Sequence, residues 1–226
     1  MNKIKIAASL ICADPLNLED EVQHLIRAKS DLIHFDVMDG HFVPRYGLYP
    51  EILSKIKKIE NCPPVDVHMM VSNPEDYIQL YADAGADFYN FHIESCNHSH
   101  RIIKKIIAAG MKPGIALNPD TPLSVLDWII QDIKMVVLMT INPGIVGHKF
   151  IPEMLEKISQ LRKLAKNKNP SLIIELDGGV TLETIPGMIK AGADALVCGN
   201  GTIFRPHEDT IGNKTKYIRS IINEQA

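Results

Sequence analysis

Four side chains that can ligate a metal ion lie near the carboxyl ends of three apolar segments: His34, Asp36, His68 and Asp177. Side chains alternate across a β-strand, so His34 and Asp36 point to the same face of the segment 32–37. An imidazole and a carboxylate in such a strand cost desolvation free energy unless a partner compensates them. Neutral imidazoles and carboxylates are common ligands of Zn²⁺, Fe²⁺, Mn²⁺ and Co²⁺, so the pattern predicts one divalent metal site without selecting the metal. For any single residue, a hydrogen-bonded polar group in the core is the alternative.

Strand-like segments alternate with helix-like segments along the chain. Eight segments are apolar on both faces, as in a parallel sheet covered by helices: 4–9, 32–37, 65–70, 88–93, 113–117, 134–139, 171–176 and 195–198. Helical patterns are predicted at 17–28, 74–84, 99–109, 151–166, 181–191 and 214–223. Three phrases, at 82–87, 107–112 and 189–194, end a predicted helix on Ala-Gly, which indicates a left-handed glycine cap. Eight units favour one (β/α)₈ barrel domain over 1–226; a doubly wound open sheet is the alternative, but the first unit lacks Gly-x-Gly-x-x-Gly.

Glycine-rich loops follow the last two predicted strands. Asp177-Gly178-Gly179 precedes a helix expected to start near Thr181, and Gly199-Asn200-Gly201 follows the eighth strand. In (β/α)₈ barrels these two loops are the recurrent phosphate site, because glycines let backbone N–H groups approach an anion. The alternative is that the glycines only form turns. The loop 142–148, after the sixth strand, is predicted to cover the ligand.

Composition narrows the class of protein. The chain has 226 residues, of which 46% are hydrophobic and 23% charged, and a net charge of −3. No basic field favours nucleic acid or an anionic membrane. The first residues have too short an apolar run for a signal peptide, and no segment is long enough to span a bilayer. Four scattered cysteines without a Cys-x-x-Cys motif are typical of a reducing compartment, so we expect a cytoplasmic protein.

The motifs together resemble the ribulose-phosphate 3-epimerase family. They are His-Phe-Asp-Val-Met-Asp-Gly-His-Phe-Val-Pro from 34, Asp-Val-His-Met-Met-Val from 66, Asn-Pro-Gly from 142 and Glu-Leu-Asp-Gly-Gly from 175. The resemblance implies a barrel of the ribulose-phosphate-binding type that interconverts D-ribulose 5-phosphate and D-xylulose 5-phosphate. It also implies a homo-oligomer.

The resemblance assigns roles to individual residues. The metal ligands would be His34, Asp36, His68 and Asp177, with Asp36 and Asp177 as the acid and base. Substrate contacts would fall on Ser9, His68, Gly144, Ile145, Val146, Gly147, Asp177, Gly178, Gly179, Gly199 and Asn200. Met38, Met70 and Met139 would form a wall above the metal that cannot hydrogen-bond to the intermediate; core filling is the alternative for these three.

Several positions depart from the family pattern, and they leave the substrate open. Residues 45–49 and 144–148 are altered, and Val146 stands where the family has glycine. A 3-epimerase for a six-carbon ketose such as D-allulose 6-phosphate, with a longer pocket, is therefore the main alternative. A lyase or a non-catalytic sugar-phosphate binder on a related barrel is the third hypothesis.

Other polar residues near these motifs receive structural interpretations. Asp66, two residues before His68 on one strand face, is expected to orient His68. His92 and Glu94 end the fourth strand as His-x-Glu and are predicted to be structural or to support the ligands. Glu175 is expected in a buried hydrogen-bonded layer below Asp177. Arg45 is predicted to be a solvated loop residue, with an added contact to an anion as the alternative.

Overall fold

Eight parallel β-strands close into a barrel in the order of the chain, with β8 paired to β1. The structure is a computed structural model, and it describes residues 3–145, 147–204 and 209–225. The strands are β1 Lys5–Ser9, β2 Leu32–Met38, β3 Val65–Met70, β4 Phe88–His92, β5 Lys112–Leu117, β6 Met135–Met139, β7 Ile173–Asp177 and β8 Ala195–Cys198. The predicted (β/α)₈ barrel is confirmed, and each predicted strand lies within two residues of its observed bounds.

Seven α-helices surround the barrel in the described part of the chain. They are α1 Leu18–Arg27, α2 Pro50–Ile56, α3 Ile78–Asp83, α4 Ser99–Ala108, α5 Met154–Lys168, α6 Ile185–Ala191 and α7 Ile211–Glu224. The sequence patterns did not predict α2. The connection from β5 to β6 has only the short 3₁₀ helix Leu123–Leu126 where the other units have an α-helix. None of the helices in the described ranges has the length and apolar character needed to cross a membrane.

The barrel separates two apolar cores. A large core lies between the strands and the helices and includes Phe35, Tyr89 and Leu138. A smaller one lies inside the barrel, with Phe88, Met135 and other small or medium side chains. The inner core is small because polar side chains from β2, β3, β4 and β7 occupy the barrel above it. The covered strands therefore position a polar cluster inside an apolar shell.

Three aspartates that precede β2, β4 and β8 tie the amino ends of neighbouring strands together. Each accepts a hydrogen bond from a backbone N–H of the preceding strand and contacts a cation in or beside a helix: Asp31 with Ile6 and Arg219, Asp87 with Val65 and Lys57, Asp194 with Ile174 and Arg162. Asp87 and Asp194 end two of the repeated phrases, and their glycines, Gly85 and Gly192, have φ of 95° and 120°. The predicted left-handed glycine caps are confirmed at all three phrases, including Gly110 with φ of 85°, and those at Gly85 and Gly192 lead to such an aspartate.

Gly114 on β5 leaves room for a polar side chain from β4. The two residues are register partners, and a Cβ added at Gly114 would lie 1.8 Å from Oδ1 of Asn90. Asn90 is fully buried inside the barrel. The absence of a side chain at position 114 is therefore a packing requirement of the barrel interior.

Gly114→Ala is expected to lower the free energy of unfolding by about 1–3 kcal/mol, because the new methyl group would displace Asn90 in a closely packed interior. Denaturant unfolding followed by circular dichroism measures the effect. Gly187→Ala is the matched control: its Cβ would meet only Leu155 at 3.6 Å, an ordinary contact, within helix α6. That change should stabilise the protein by up to about 1 kcal/mol. Equal stability of the Gly114→Ala variant and the unmodified protein would contradict the packing argument.

Candidate active site

Four buried or nearly buried donor atoms meet at the carboxyl end of the barrel. Nε2 of His34 lies 3.3 Å from Oδ1 of Asp36 and 3.8 Å from Oδ2 of Asp177. Nδ1 of His68 lies 3.4 Å and 3.5 Å from the same two oxygens. All four atoms lie within 4.8 Å of one another. The structure thus brings together, from β2, β3 and β7, the four residues that the sequence pattern selected.

The register of β2 and β3 produces half of this arrangement. Asp36 pairs with His68 across the two strands, and Met38 pairs with Met70 one inward position higher. Because inward positions recur every second residue, the polar pair and the methionine pair form successive levels inside the barrel. Met139 on β6 pairs with Asp177 on β7. All three methionines line the cavity above the donor atoms, as expected from the family resemblance.

His34 is oriented by a carboxylate from the neighbouring strand. Its Nδ1 lies 2.6 Å from Oδ1 of Asp66 and 3.5 Å from Oε2 of Glu175. When Asp66 is ionised it only accepts, so Nδ1 of a neutral His34 carries the proton and Nε2 directs its lone pair toward the site. The expectation that Asp66 orients His68 was wrong. In parallel strands Asp66 pairs with His34, so its nearest imidazole is on β2 and not on its own strand.

His68 is oriented by a second imidazole and not directly by a carboxylate. Its Nε2 lies 2.9 Å from Nε2 of His92, and Nδ1 of His92 lies 3.1 Å from Oε2 of Glu94. The other oxygen of Glu94 accepts a hydrogen bond from the backbone N–H of Asn118 at 2.8 Å and one from the hydroxyl of Thr121. His92 therefore contacts the ligand-type residue His68 directly, and Glu94, just after β4, reaches it only through His92. The His-x-Glu spacing was the sequence signal for this pair.

The electrostatics of the cluster favour positive charge. Burial opposes protonation of His34, but Asp66 and Asp36 outweigh it and hold the pKa of His34 well above its usual value. Burial likewise opposes protonation of His68, yet Asp177 and Asp36 raise its pKa. For Asp36, burial disfavours the charge, but His34 and His68 lower the pKa of the carboxyl. The negative charges of the carboxylates thus favour binding of a cation between them.

Among the neighbouring groups, the pKa values of Asp66 and His92 shift in the opposite sense to those of the cluster, whereas the pKa of Glu94 is lowered like that of Asp36. Burial, with the nearby Glu175, raises the pKa of Asp66 well above its usual value. Burial lowers the pKa of His92 to about 4, which exceeds the opposing effect of Glu94. Burial disfavours charge on Glu94, but hydrogen bonds from His92, Thr121 and Asn118 hold the pKa of its carboxyl to about 2. His92 is therefore neutral and Glu94 ionised at neutral pH.

The donor set fits a divalent metal ion. Two of the donor atoms, Nε2 of His34 and Nδ1 of His68, are fully buried and have no hydrogen-bond partner in the described ranges. Two ligands about 2.0–2.2 Å from a tetrahedral ion lie about 3.3–3.6 Å apart, close to the 3.3–3.8 Å separations observed here. Orphaned imidazole nitrogens facing carboxylate oxygens at these distances are what a site of this class requires.

A cavity of about 360 Å³ opens directly above the donor atoms. Its walls include these expected substrate contacts: Ser9, Gly144, Ile145, Gly147, Asp177, Gly178, Gly179, Gly199 and Asn200. His68 lies below the cavity floor as a fully buried residue. Val146, the remaining expected contact, lies outside the described residues.

Two expectations about the cavity were wrong. Arg45, predicted to be solvated, is half-buried and lines the cavity, because the short bridge between Asp39 and Tyr46 folds its loop back over the barrel mouth. The helix after β7 begins at Ile185 and not near Thr181. Residues 181–184 instead form a turn in which the Thr184 hydroxyl accepts a hydrogen bond from the Thr181 N–H, and Thr181 lines the cavity.

Sequence reasoning also missed some lining residues. Ile11 and Ile141 follow β1 and β6 and line the same cavity. Each lies on a loop at the carboxyl end of a strand, where barrel sites are built. That position was the available signal, but their residue types do not distinguish them from ordinary loop residues.

Gly178 and Gly179 are constrained by conformation and by close contact. Their φ values are +103° and +62°. A Cβ at Gly178 would lie 2.2 Å from Cγ1 of Ile141, and one at Gly179 would lie 2.7 Å from the backbone nitrogen of Phe150. The turn after β7 therefore requires two consecutive glycines, which leaves its backbone without side chains where it borders the cavity.

Solved structures with the same architecture belong to several enzymes. KGPDC from Streptococcus mutans superposes with a TM-score of 0.73 at 11% identity, covering 99% of each chain. 3-Hexulose-6-phosphate synthase from Salmonella typhimurium gives a TM-score of 0.67 at 17% identity, covering 99% of this chain and all of the other. At these identities the likeness shows the barrel fold alone.

Sequence relatives identify the family. The chain is 43% identical to a ribulose-phosphate 3-epimerase of Bacillus subtilis over 87% of this chain and 91% of that protein. It is 39% identical to the one of Aquifex aeolicus over 96% of both, and 40% identical to the one of Methanocaldococcus jannaschii over 96% of this chain and 90% of that protein. The model of the ribulose-phosphate 3 epimerase family matches residues 5–204. The chain belongs to the ribulose-phosphate 3-epimerase family, a family of carbohydrate isomerases.

Proposed function

We propose that this protein interconverts D-ribulose 5-phosphate and D-xylulose 5-phosphate by moving the C3 proton from one face of the sugar to the other. The observation that carries the proposal is the convergence of two carboxylates, from β2 and β7, in one shell of buried donor atoms beneath a cavity. The printed names of the sequence relatives support the substrate.

Inversion at C3 needs two groups that exchange protons on opposite faces. C3 is next to the ketone carbon, so its proton is acidic enough for a positioned carboxylate to remove, which leaves a cis-enediolate. In one direction Asp36 or Asp177 takes the proton as the base, and the other returns a proton to the opposite face. Asp36 is fixed for this task, because the Ser9 hydroxyl donates a hydrogen bond of 2.9 Å to its Oδ2 and leaves Oδ1 facing the site.

His34, Asp36, His68 and Asp177 would hold the divalent metal ion, for which Zn²⁺, Fe²⁺, Mn²⁺ and Co²⁺ are all candidates. When bound, the ion supplies positive charge that stabilises the negative charge developing on the enediolate oxygens. The two histidines contribute as neutral donors whose orientation Asp66 and His92 fix.

The cavity walls suit the rest of the substrate. Met38, Met70 and Met139 offer polarizable surfaces without strong donors, so they exclude water without protonating the intermediate. The backbone of the loops after β7 and β8, at Gly178, Gly179, Gly199 and Asn200, would bind the phosphate. A phosphate bound there, away from the reacting carbon, would keep C3 of the sugar close to the two carboxylates.

Three further features stay predictions. Residues 1–226 would form one catalytic domain, which the closed barrel and the packing of α7 beside α1 support. Self-association would follow from the family resemblance. A cytoplasmic location is supported by a relative from Oryza sativa that is named a cytoplasmic isoform, 40% identical over 87% of this chain.

Asp177→Asn is expected to slow exchange of the C3 proton with solvent by a factor of about 10²–10⁴, since the amide cannot take up a proton. Deuterium incorporation from D₂O, followed by NMR of the sugar phosphate, measures the rate. Metal content of the same sample separates loss of the base from loss of the ion. Asp127→Asn removes the same charge at an exposed position paired with Lys168 and should exchange at the unmodified rate. Undiminished exchange in Asp177→Asn would contradict the two-carboxylate mechanism.

Removal of the metal ion is expected to abolish epimerase activity and leave the barrel folded. Elemental analysis of protein purified without added metal should give about one divalent ion per chain, and addition of Co²⁺ or Mn²⁺ after chelation should restore turnover. Circular dichroism of the chelated protein provides the control for folding. Full activity of a metal-free sample would refute the metal site.

The substrate preference is tested by comparing kcat/KM for D-ribulose 5-phosphate and D-allulose 6-phosphate. One extra carbon between the reacting centre and the phosphate should cost the six-carbon substrate a factor of about 10–200 in a pocket built for five carbons. Faster turnover of the six-carbon substrate would replace the pentulose assignment with the alternative. Aldehyde products or binding without exchange would indicate the lyase or the non-catalytic binder.

A further inference from the structure

The imidazole of His68 is the end of a hydrogen-bonded chain that leads out of the barrel. The chain runs from His68 on β3 to His92 on β4, then to Glu94, and then to the loop 118–121 after β5. Both histidines are fully buried, and the Glu94 side chain is 23% exposed. Nδ1 of His34 has a carboxylate partner directly beside it, whereas Nε2 of His68 contacts the imidazole of His92, which in turn contacts the carboxylate of Glu94.

Two imidazole nitrogens at hydrogen-bond distance share one proton, so the contact of 2.9 Å between His68 and His92 has two alternatives. If Nε2 of His68 donates, its Nδ1 has a free lone pair toward Asp36 and Asp177. If Nε2 of His92 donates, a neutral His68 must carry its proton on Nδ1, which then cannot ligate a metal. The imidazole pair alone does not decide between them.

Glu94 decides the direction. A carboxylate accepts and cannot donate, so Nδ1 of His92, 3.1 Å away, carries the proton of that neutral ring. Nε2 of His92 is then an acceptor, and Nε2 of His68 must donate to it. We propose that Glu94, acting through His92, is a positioning residue that fixes the tautomer of His68 in which Nδ1 is available as a metal ligand. The inference rests on the metal site of the proposed function.

The loop after β5 fixes Glu94 in turn. Its Oε1 accepts from Asn118 and Thr121, which leaves Oε2 for His92. Lys157 on α5 donates to three carbonyl oxygens of this loop: Asn118 at 3.0 Å, Pro119 at 2.9 Å and Thr121 at 2.5 Å. An ammonium group has three donors, and all three are used here. The carboxylate is therefore held in place from outside the barrel.

Glu94→Gln is the sharpest test. It should reverse the direction of the hydrogen bonds that run from His68 through His92 to residue 94, and glutamine has nearly the same size as glutamate. The N–H of Asn118 can only donate, so the glutamine carbonyl must face it and the amide NH₂ must face Nδ1 of His92. Nδ1 then accepts, the proton of His92 moves to Nε2, and His68 is protonated on Nδ1. The dissociation constant for Co²⁺, measured by visible absorption titration, should rise about 10- to 100-fold.

Two control variants separate this effect from loss of structure. Glu75→Gln removes a charge from a side chain that is also 23% exposed, but Glu75 contacts only Arg101 and Lys105 in the hydrogen bonds and ion pairs of the described chain. Asp127→Asn removes a charge at an exposed position paired with Lys168, outside this set of hydrogen bonds. Both variants should bind Co²⁺ within about threefold of the unmodified protein, well short of the change expected at Glu94.

Histidine NMR tests the tautomers directly in the unmodified protein loaded with Zn²⁺. Long-range ¹H–¹⁵N correlations should show His92 protonated on Nδ1 and His68 on Nε2. A His92 protonated on Nε2 would overturn the proposal, even if the Glu94→Gln variant did not fold.

If Glu94→Gln and the unmodified protein bound Co²⁺ with equal affinity, the positioning role of Glu94 would be overturned and the metal site would stand. If the unmodified protein failed to bind Co²⁺, both the positioning role of Glu94 and the metal site of the proposed function would be overturned.

Discussion

The structure depends on compensating ionisable side chains that are buried inside a barrel that excludes water. His34, Asp36, Asp66, His68, His92 and Glu175 are all at most 5% exposed. Burial on this scale costs several kcal/mol for an uncompensated ion, so each group needs a partner with defined geometry. The partners observed are imidazoles against carboxylates, and two imidazole nitrogens still lack one among the described residues. A divalent ion bound at the proposed site would compensate these two nitrogens, so that stability of this part of the interior and function of the site would have the same origin.

The imidazoles of His34 and His68 are oriented by carboxyl groups in different positions. Asp66 contacts His34 within the barrel, and burial, together with the nearby Glu175, raises the pKa of Asp66. Glu94 lies at the rim, where hydrogen bonds hold its pKa to about 2, and it reaches His68 only through His92. Placing the ionised carboxylate at the rim avoids burying another full charge next to Asp36 and Asp177. Of the two supporting carboxyl groups, Asp66 in the interior thus has a raised pKa, and Glu94 near solvent is fully ionised.

Much of the fold followed from sequence pattern because parallel strands and glycine caps have strong local signals. The eight strands were predicted to within two residues, and the Ala-Gly phrases ended helices as expected. Helix α2 was missed because seven residues give too little periodicity, and the expected helix start near Thr181 lies in a turn. The orientation of Asp66 was wrong for a different reason: its partner is set by strand register, which alternation within one strand does not contain.

The sequence by itself determined which residue types stand at the strand ends: His34, Asp36, His68 and Asp177, together with the glycines after β7 and β8. Side-chain alternation has a fixed period, so it is readable from one strand at a time. The tertiary structure decided which atoms meet. It turned Nε2 of one histidine and Nδ1 of the other toward the carboxylates, and it linked His68 to Glu94 through His92. Such contacts depend on the register and closure of the whole barrel, because they join strands that are distant in sequence.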